Sequence, residues 1–134
     1  MLINIMFHRI FFLFAIIGFV GCTNMRQNDE MLKVYNDIAE FYNKWALSEW
    51  TDYADALDYT ITFSTQLQSI DLDDVTPEFK AAINRMSESL NPLIEALKRG
   101  DDDIDFDTFI ENVSQMHDQL WDIAKENGAE WEKK

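Results

Sequence analysis

Cysteine is almost absent from this chain, which has Cys22 alone among 134 residues. A single thiol leaves no pair for a disulfide, and zinc sites built from several cysteines lack their ligands. Residues 22–134 must therefore fold on a hydrophobic core alone. They number 113, which is within the usual size of one domain.

Glycine and proline are scarce after Cys22, where Gly100, Gly128, Pro77 and Pro92 are the only examples. Few helix breakers and many Leu, Met, Ala and Glu residues predict helices, and no strand pattern or internal repeat is present. A glycine-rich phosphate loop is missing as well, and His117 is the one histidine after Cys22. Nucleotide, zinc and acyl-transfer chemistry lack their usual residues, so we predict no catalytic residue, no metal ligand and no enzymatic activity.

Basic residues are also few, because 11 Lys and Arg stand against 25 Asp and Glu, a formal net charge of −14. This charge argues against binding to nucleic acid and against lying flat on an anionic lipid surface. It would suit a basic protein partner. It would equally suit simple solubility and mutual repulsion between copies on a membrane.

No apolar run reaches the roughly 20 residues that a membrane-spanning helix needs. The longest, Ile10 to Val20, has 11 residues and follows Arg9. It leads into Phe19-Val20-Gly21-Cys22, a pattern that resembles the signal of bacterial lipoproteins. The resemblance implies that residues 1–21 are removed and that Cys22 carries several acyl chains, which anchor a protein stably.

The same resemblance implies a location in the cell envelope. Thr23, in place of Asp after the cysteine, implies delivery to the outer membrane, facing the periplasm, in a Gram-negative cell. Residues 22–28 are expected to form a short tether, and residues 29–134 a single acidic domain. Its six residues from Thr23 to Asn28 span at most about 20 Å, so this domain is expected to stand close to the membrane.

Apolar residues spaced three and four apart predict four helices. Helix 1 is expected from about Asp29, its N-cap, to Leu47, and helix 2 is expected to begin near the N-cap Thr51. The residues expected in the core of these two helices are Met31, Val34, Ile38, Phe41, Trp45, Ala56, Thr60, Phe63, Leu67 and Ile70.

Helix 3 is expected to start at Pro77 after the N-cap Thr76, to bend at Pro92 and to end at Gly100. Helix 4 is expected from about Asp105 to Asn127, with Gly128 ending it. The core residues expected here are Phe79, Ile83, Met86, Leu90, Leu93, Leu97, Phe109, Val113, Met116, Leu120 and Ile123.

Four helices with short connections favour an all-α, antiparallel up-and-down four-helix bundle. The alternative is a three-helix bundle with one long first helix, because no glycine or proline interrupts Ser48 to Thr51. In the four-helix topology, the N-terminus, the loop Asp71 to Thr76 and the basic tail Lys133-Lys134 lie at the membrane end. The opposite end then carries Leu47 and Trp50 beside the acidic loop Asp101 to Asp107.

Two features suggest a small-ligand carrier as an alternative function. The segment Asp103-Ile-Asp-Phe-Asp-Thr-Phe-Ile-Glu111 resembles the second half of an EF-hand calcium loop, which implies calcium at the acidic loop 101–107. The loop has the wrong residue at four defining positions, so we favour an acidic approach to a helix N-terminus. His117 with Met31 is similar to the haem ligand pair of four-helix b-type cytochromes, but the two differ in height by roughly 12 Å along the bundle.

Helix 1 carries more apolar residues than a bundle helix needs. A second stripe that includes Tyr35 and Tyr42 runs beside its core residues, and it would either face a partner or be covered by neighbouring helices. We therefore predict no cofactor, and a lipid-anchored, non-enzymatic protein that binds another envelope protein as an accessory or immunity-type module. The residues expected to contact the partner are Tyr35, Tyr42, Trp50, Asp101, Asp103 and Asp105.

Overall fold

The computed structural model describes residues 25–128, which form five helical segments and contain no strand. Two of the segments, α3 (Pro77–Ser89) and α4 (Asn91–Arg99), are separated by Leu90 alone, whose backbone is itself in the right-handed helical region, so they act as one bent rod. The architecture is an all-α, four-helix bundle, as predicted. Its helices are α1 (25–46), α2 (Tyr53–Ser69), α3 (Pro77–Ser89), α4 (Asn91–Arg99) and α5 (Phe106–Glu126).

α1 is already helical at residue 25, so the prediction that it starts at Asp29 was wrong. Asp29 lies exposed inside the helix, and residues 25–28 belong to α1 and not to the tether. No glycine or proline interrupts this stretch, and half-buried Gln27 and Asn28 extend the inward face by one turn. Residues 1–24, with the lipoprotein pattern, lie outside the described residues, as do residues 129–134 with Lys133 and Lys134.

The helix is interrupted between α1 and α2 by the non-helical residues 47–52, which excludes the three-helix alternative. The last turn of α1 closes with the Leu47 amide donating to the Asn43 carbonyl at 3.0 Å. Asp52, one residue after the predicted cap, is the N-cap of α2, because its carboxylate accepts from the Asp55 amide at 2.9 Å. Thr51 instead donates its hydroxyl to the Asp55 side chain.

The remaining helix boundaries agree with the prediction. The Thr76 hydroxyl accepts from the Phe79 amide at 3.3 Å, with Pro77 following as the first helical residue. Pro92 stands in the first turn of α4, where its missing N–H interrupts the hydrogen bonding of the rod. Gly100 ends α4 in the left-handed region at φ 70°, and α5 begins after Asp105, its N-cap.

The core follows the predicted apolar seams closely. Every predicted seam residue of α3 and α4 is buried, and so are most of those in the other helices. The exceptions are half-buried and pack against the core from its edge; they are Phe41, Ile70, Phe109 and Met116.

Contacts between the helix ends give the up-and-down topology. Arg26 at the start of α1 pairs with Asp74 in the α2–α3 loop at 2.9 Å, and the Gly128 backbone after α5 approaches the Asn28 side chain. We call this the proximal end. At the opposite, distal end, the α1–α2 turn (47–52) meets the α4–α5 loop (100–105) and the start of α5, where the rings of Trp50 and Phe106 lie 5.1 Å apart.

Candidate interaction surface at the distal end

An aromatic cluster closes the distal end of the bundle. The Trp45 ring, on the last turn of α1, stacks on Phe63 of α2 at 5.1 Å. Trp50 lies 6.0 Å from Trp45 and meets the edge of Phe106 at 5.1 Å, and Tyr53 lies 6.4 Å from Phe106. These contacts join α1, α2 and α5, so the α1–α2 turn is held by ring packing.

Trp45 forms the buried base of this cluster. It is 1 % exposed, and its Nε1 donates to the Thr60 hydroxyl of α2 at 3.0 Å. Thr60 in turn donates to the Ala56 carbonyl one turn earlier, at 2.7 Å. Both polar groups of this buried pair are therefore satisfied, which fixes the angle and register at which α1 meets α2.

Trp50 forms the outer layer and differs from Trp45 in its hydrogen bonding. Its Nε1 is buried, but no acceptor lies within reach of it in the described part of the chain. Next to it, Leu47 is 78 % exposed and Tyr53 is 38 % exposed. The distal end thus carries two exposed apolar side chains and an indole whose N–H has no acceptor among residues 25–128.

The acidic loop carries the negative charge at this end of the bundle, and its carboxylates make different contacts. Asp101 binds Arg99 at 2.8 Å and so raises the pKa of that guanidinium. Asp105 accepts from the amide of Thr108 at 3.1 Å and from its hydroxyl at 2.8 Å, and these hydrogen bonds lower the pKa of Asp105. Asp103 is exposed.

The loop therefore matches the acidic helix approach that the sequence favoured over a calcium site. Asp105 caps α5, and Asp107 lies in the first turn, where a carboxylate interacts favourably with the helix dipole. Nowhere in residues 25–128 do three or more His, Cys, Asp or Glu side chains group in a way that could hold a metal ion.

Tyr35 and Tyr42 lie elsewhere, in the contact between α1 and α5. The Tyr35 ring stacks on His117 at 4.1 Å and lies 5.7 Å from Trp121. Tyr42 is parallel to His117 at 6.4 Å and meets Trp45 at 6.1 Å. Both tyrosines are half-buried, so the second apolar stripe of α1 is covered by a neighbouring helix, the alternative to a partner-facing stripe.

His117 has a structural contact in this region. Its Nε2 lies 3.1 Å from the Tyr35 carbonyl oxygen, and since a carbonyl only accepts, the ring donates through Nε2. Burial raises the pKa of the Tyr35 phenol, and the nearby Asp118 carboxylate raises it further. Met31 is fully buried at the proximal end, where its sulfur contacts the Thr76 hydroxyl. Nothing in this arrangement favours haem at His117.

The sequence predicted that Trp50 and the acidic loop lie at one end of the bundle, but it did not predict that Tyr53 joins the aromatic cluster there. The available signal was topological, since Tyr53 opens α2 beside the loop that precedes Phe106. Ile61 and Tyr59, 40 % and 43 % exposed on α2, were missed as well, because they lie outside the α2 seam.

Comparison with protein-family models, with curated proteins and with solved structures finds no match to this chain. Among the helices of residues 25–128, none combines the length and the apolar character that crossing a membrane requires. Any function must therefore be argued from the residues themselves.

Proposed function

We propose that this protein is a lipid-anchored, non-enzymatic helical bundle of the bacterial cell envelope, which binds another protein as an accessory or immunity-type module. The observation that carries the proposal is Phe19-Val20-Gly21-Cys22 at the end of an 11-residue apolar run. Acyl chains on Cys22 hold the protein at the membrane, in the outer membrane facing the periplasm if the cell is Gram-negative.

The position of α1 supports this role. Only Thr23 and Asn24 stand between Cys22 and the helical residue 25, so the proximal end lies at most about 10 Å from the proposed anchor. The 22 residues of α1 extend about 33 Å, a length that supports a distal end held away from the proposed anchor. A partner in the same compartment can reach Trp50 and the acidic loop there.

The anchor is tested by feeding producing cells an alkyne analogue of palmitate and separating membranes from soluble protein. The full chain is expected to take up the label and to sediment with membranes. Cys22→Ser is expected to lose both properties, whereas Thr23→Ala, the matched control at the next residue, keeps both. A full chain that carries no label would contradict the proposal, as would a Cys22→Ser chain that is still labelled.

A further inference from the structure

The dipeptide Asn127-Gly128, which follows α5, is the only asparagine–glycine pair in the chain. The backbone nitrogen of the residue after an asparagine can attack the carbonyl carbon of the asparagine side chain. When that residue is glycine, no side chain obstructs the attack and the backbone rotates most freely. Asn127 and Gly128 are both exposed, so water and hydroxide reach them. The pair therefore has the composition and the exposure that spontaneous deamidation requires.

Hydrogen bonds at the end of α5 engage both reacting groups. The Asn127 side-chain amide donates to the Ile123 carbonyl at 2.8 Å, and the Asn127 backbone N–H donates to the same oxygen at 3.2 Å. The Gly128 N–H, whose nitrogen is the attacking atom, donates to the Lys125 carbonyl at 3.0 Å. Nucleophile and leaving group are thus both bound in the helix cap, so the reaction requires the last turn of α5 to open.

We propose that Asn127 is a deamidation site that the C-terminal cap of α5 protects, and that its conversion loosens the proximal end. The Gly128 nitrogen gives up its proton to hydroxide and forms a bond to Asn127 Cγ. The Cγ–Nδ2 bond breaks, and Nδ2 takes a proton from water and leaves as ammonia. Water then opens the resulting cyclic imide at either carbonyl. The products are aspartate and isoaspartate, and in the second the main chain passes through the former side chain.

Both products remove the interaction by which Asn127 closes α5. A carboxylate cannot donate to the Ile123 carbonyl, and the helix dipole opposes a negative charge at a helix C-terminus. The Gly128 backbone also lies beside α1, because a Cβ at Gly128 would stand 3.6 Å from Asn28 Nδ2. Isoaspartate lengthens the main chain directly before this contact. Modification therefore frays the last turn of α5 and weakens its contact with the start of α1, whether or not a partner is bound.

The site is tested by peptide mapping with mass spectrometry on the full-length chain, incubated in mildly alkaline buffer. Asn127 is expected to convert faster than the exposed Asn84 and Asn112, which precede Arg85 and Val113. Two hydrogen bonds of ordinary net strength protect it, so the chain unfolded in guanidinium chloride is expected to convert Asn127 about tenfold faster than the folded chain. Asn127→Gln keeps an amide with a longer side chain that closes the ring poorly, and it is expected to stay unmodified.

The consequence is tested with Asn127→Asp, which reproduces the charge of one product. Its matched control is Asn127→Gln, which keeps the donor without the charge. Hydrogen exchange of the amides in the last turn of α5 is expected to be about fivefold faster in the Asp variant than in the Gln variant.

Each part of the inference has its own contrary result. Conversion of Asn127 no faster than that of Asn84 and Asn112 overturns the modification site. Equal conversion in the folded and the unfolded chain overturns protection by the cap. Equal hydrogen exchange in the Asp and Gln variants overturns the loosening of the proximal end.

Discussion

Trp45 and Trp50 show at the residue scale how one residue type takes two roles at the same end of a bundle. Trp45 is buried and donates to Thr60, so its N–H contributes to the packing of α1 on α2. Trp50, five residues later, packs its ring but leaves its N–H without an acceptor in the described chain. Within residues 25–128 the polar group of Trp45 is therefore satisfied by a hydrogen bond, whereas that of Trp50 is not.

The buried pair of Trp45 and Thr60 makes a prediction about stability. Thr60→Val preserves the shape of the side chain but leaves the Trp45 N–H buried without an acceptor, which costs about 1–3 kcal/mol. Urea denaturation followed by circular dichroism measures this loss. Thr60→Ser keeps the hydroxyl but loses the buried methyl group, so it measures the packing contribution separately. A Val variant as stable as the unaltered protein would show that the hydrogen bond contributes nothing.

Tyr35 makes a prediction about high pH. Its raised pKa means that the folded protein favours the neutral phenol, so stability is unaffected below pH 10.0 and falls as the pH rises through the folded-state pKa. In a titration of absorbance at 295 nm, the component that Tyr35→Phe removes is expected to ionise above pH 10.0.

Asp118→Asn separates the two causes of this shift in the Tyr35 pKa. The variant removes the nearby negative charge and keeps the burial, so the component should move to lower pH but stay above the ordinary value. A Tyr35 component at or below pH 10.0 in the unaltered protein would be inconsistent with the packing of Tyr35 against α5.

At the scale of the helices, local chemistry decided which boundaries the sequence could predict. Thr76-Pro77 and Gly100 act through their own backbone and side chains, so those boundaries were correct. The predicted start of α1 was wrong, because Asp29 can act as an N-cap only if the residues before it are not helical. Gln27 and Asn28 are helical and half-buried, so they continue the inward face of α1. Asp52 replaced Thr51 as a cap because Thr51 donates to Asp55.

Substitution of Gly100 tests how α4 ends. Its φ of 70° is unfavourable for a residue with a Cβ, while no neighbouring side chain or backbone among residues 25–128 comes within 4 Å of where that Cβ would stand. Gly100→Ala should therefore cost about 1 kcal/mol through backbone conformation alone. Gly100→Asn should cost less, since asparagine tolerates this region better.

Thermal unfolding of the two Gly100 variants provides the measurement. The Asn variant is expected to unfold at a higher temperature than the Ala variant. If Ala at this position leaves the midpoint unchanged, the left-handed end of α4 is not needed for the fold.

At the scale of the whole molecule, the topology followed from four helices and short connections, and the pairs Arg26–Asp74 and Trp50–Phe106 confirm it. The burial of Tyr35 and Tyr42 could not be predicted in the same way. A stripe beside the core is either surface or interface depending on the neighbouring helix, and only the fold brings His117 and Trp121 onto it. The candidate site therefore reduces to the distal end.

Affinity co-purification of the chain from the membranes of the cells that produce it measures whether the bundle, anchored through Cys22 as proposed, binds a protein. Cys22→Ser is the unanchored control. We expect one partner in stoichiometric amount with the anchored protein and much less with the control. Recovery of only the background that accompanies any lipid-anchored protein would contradict it.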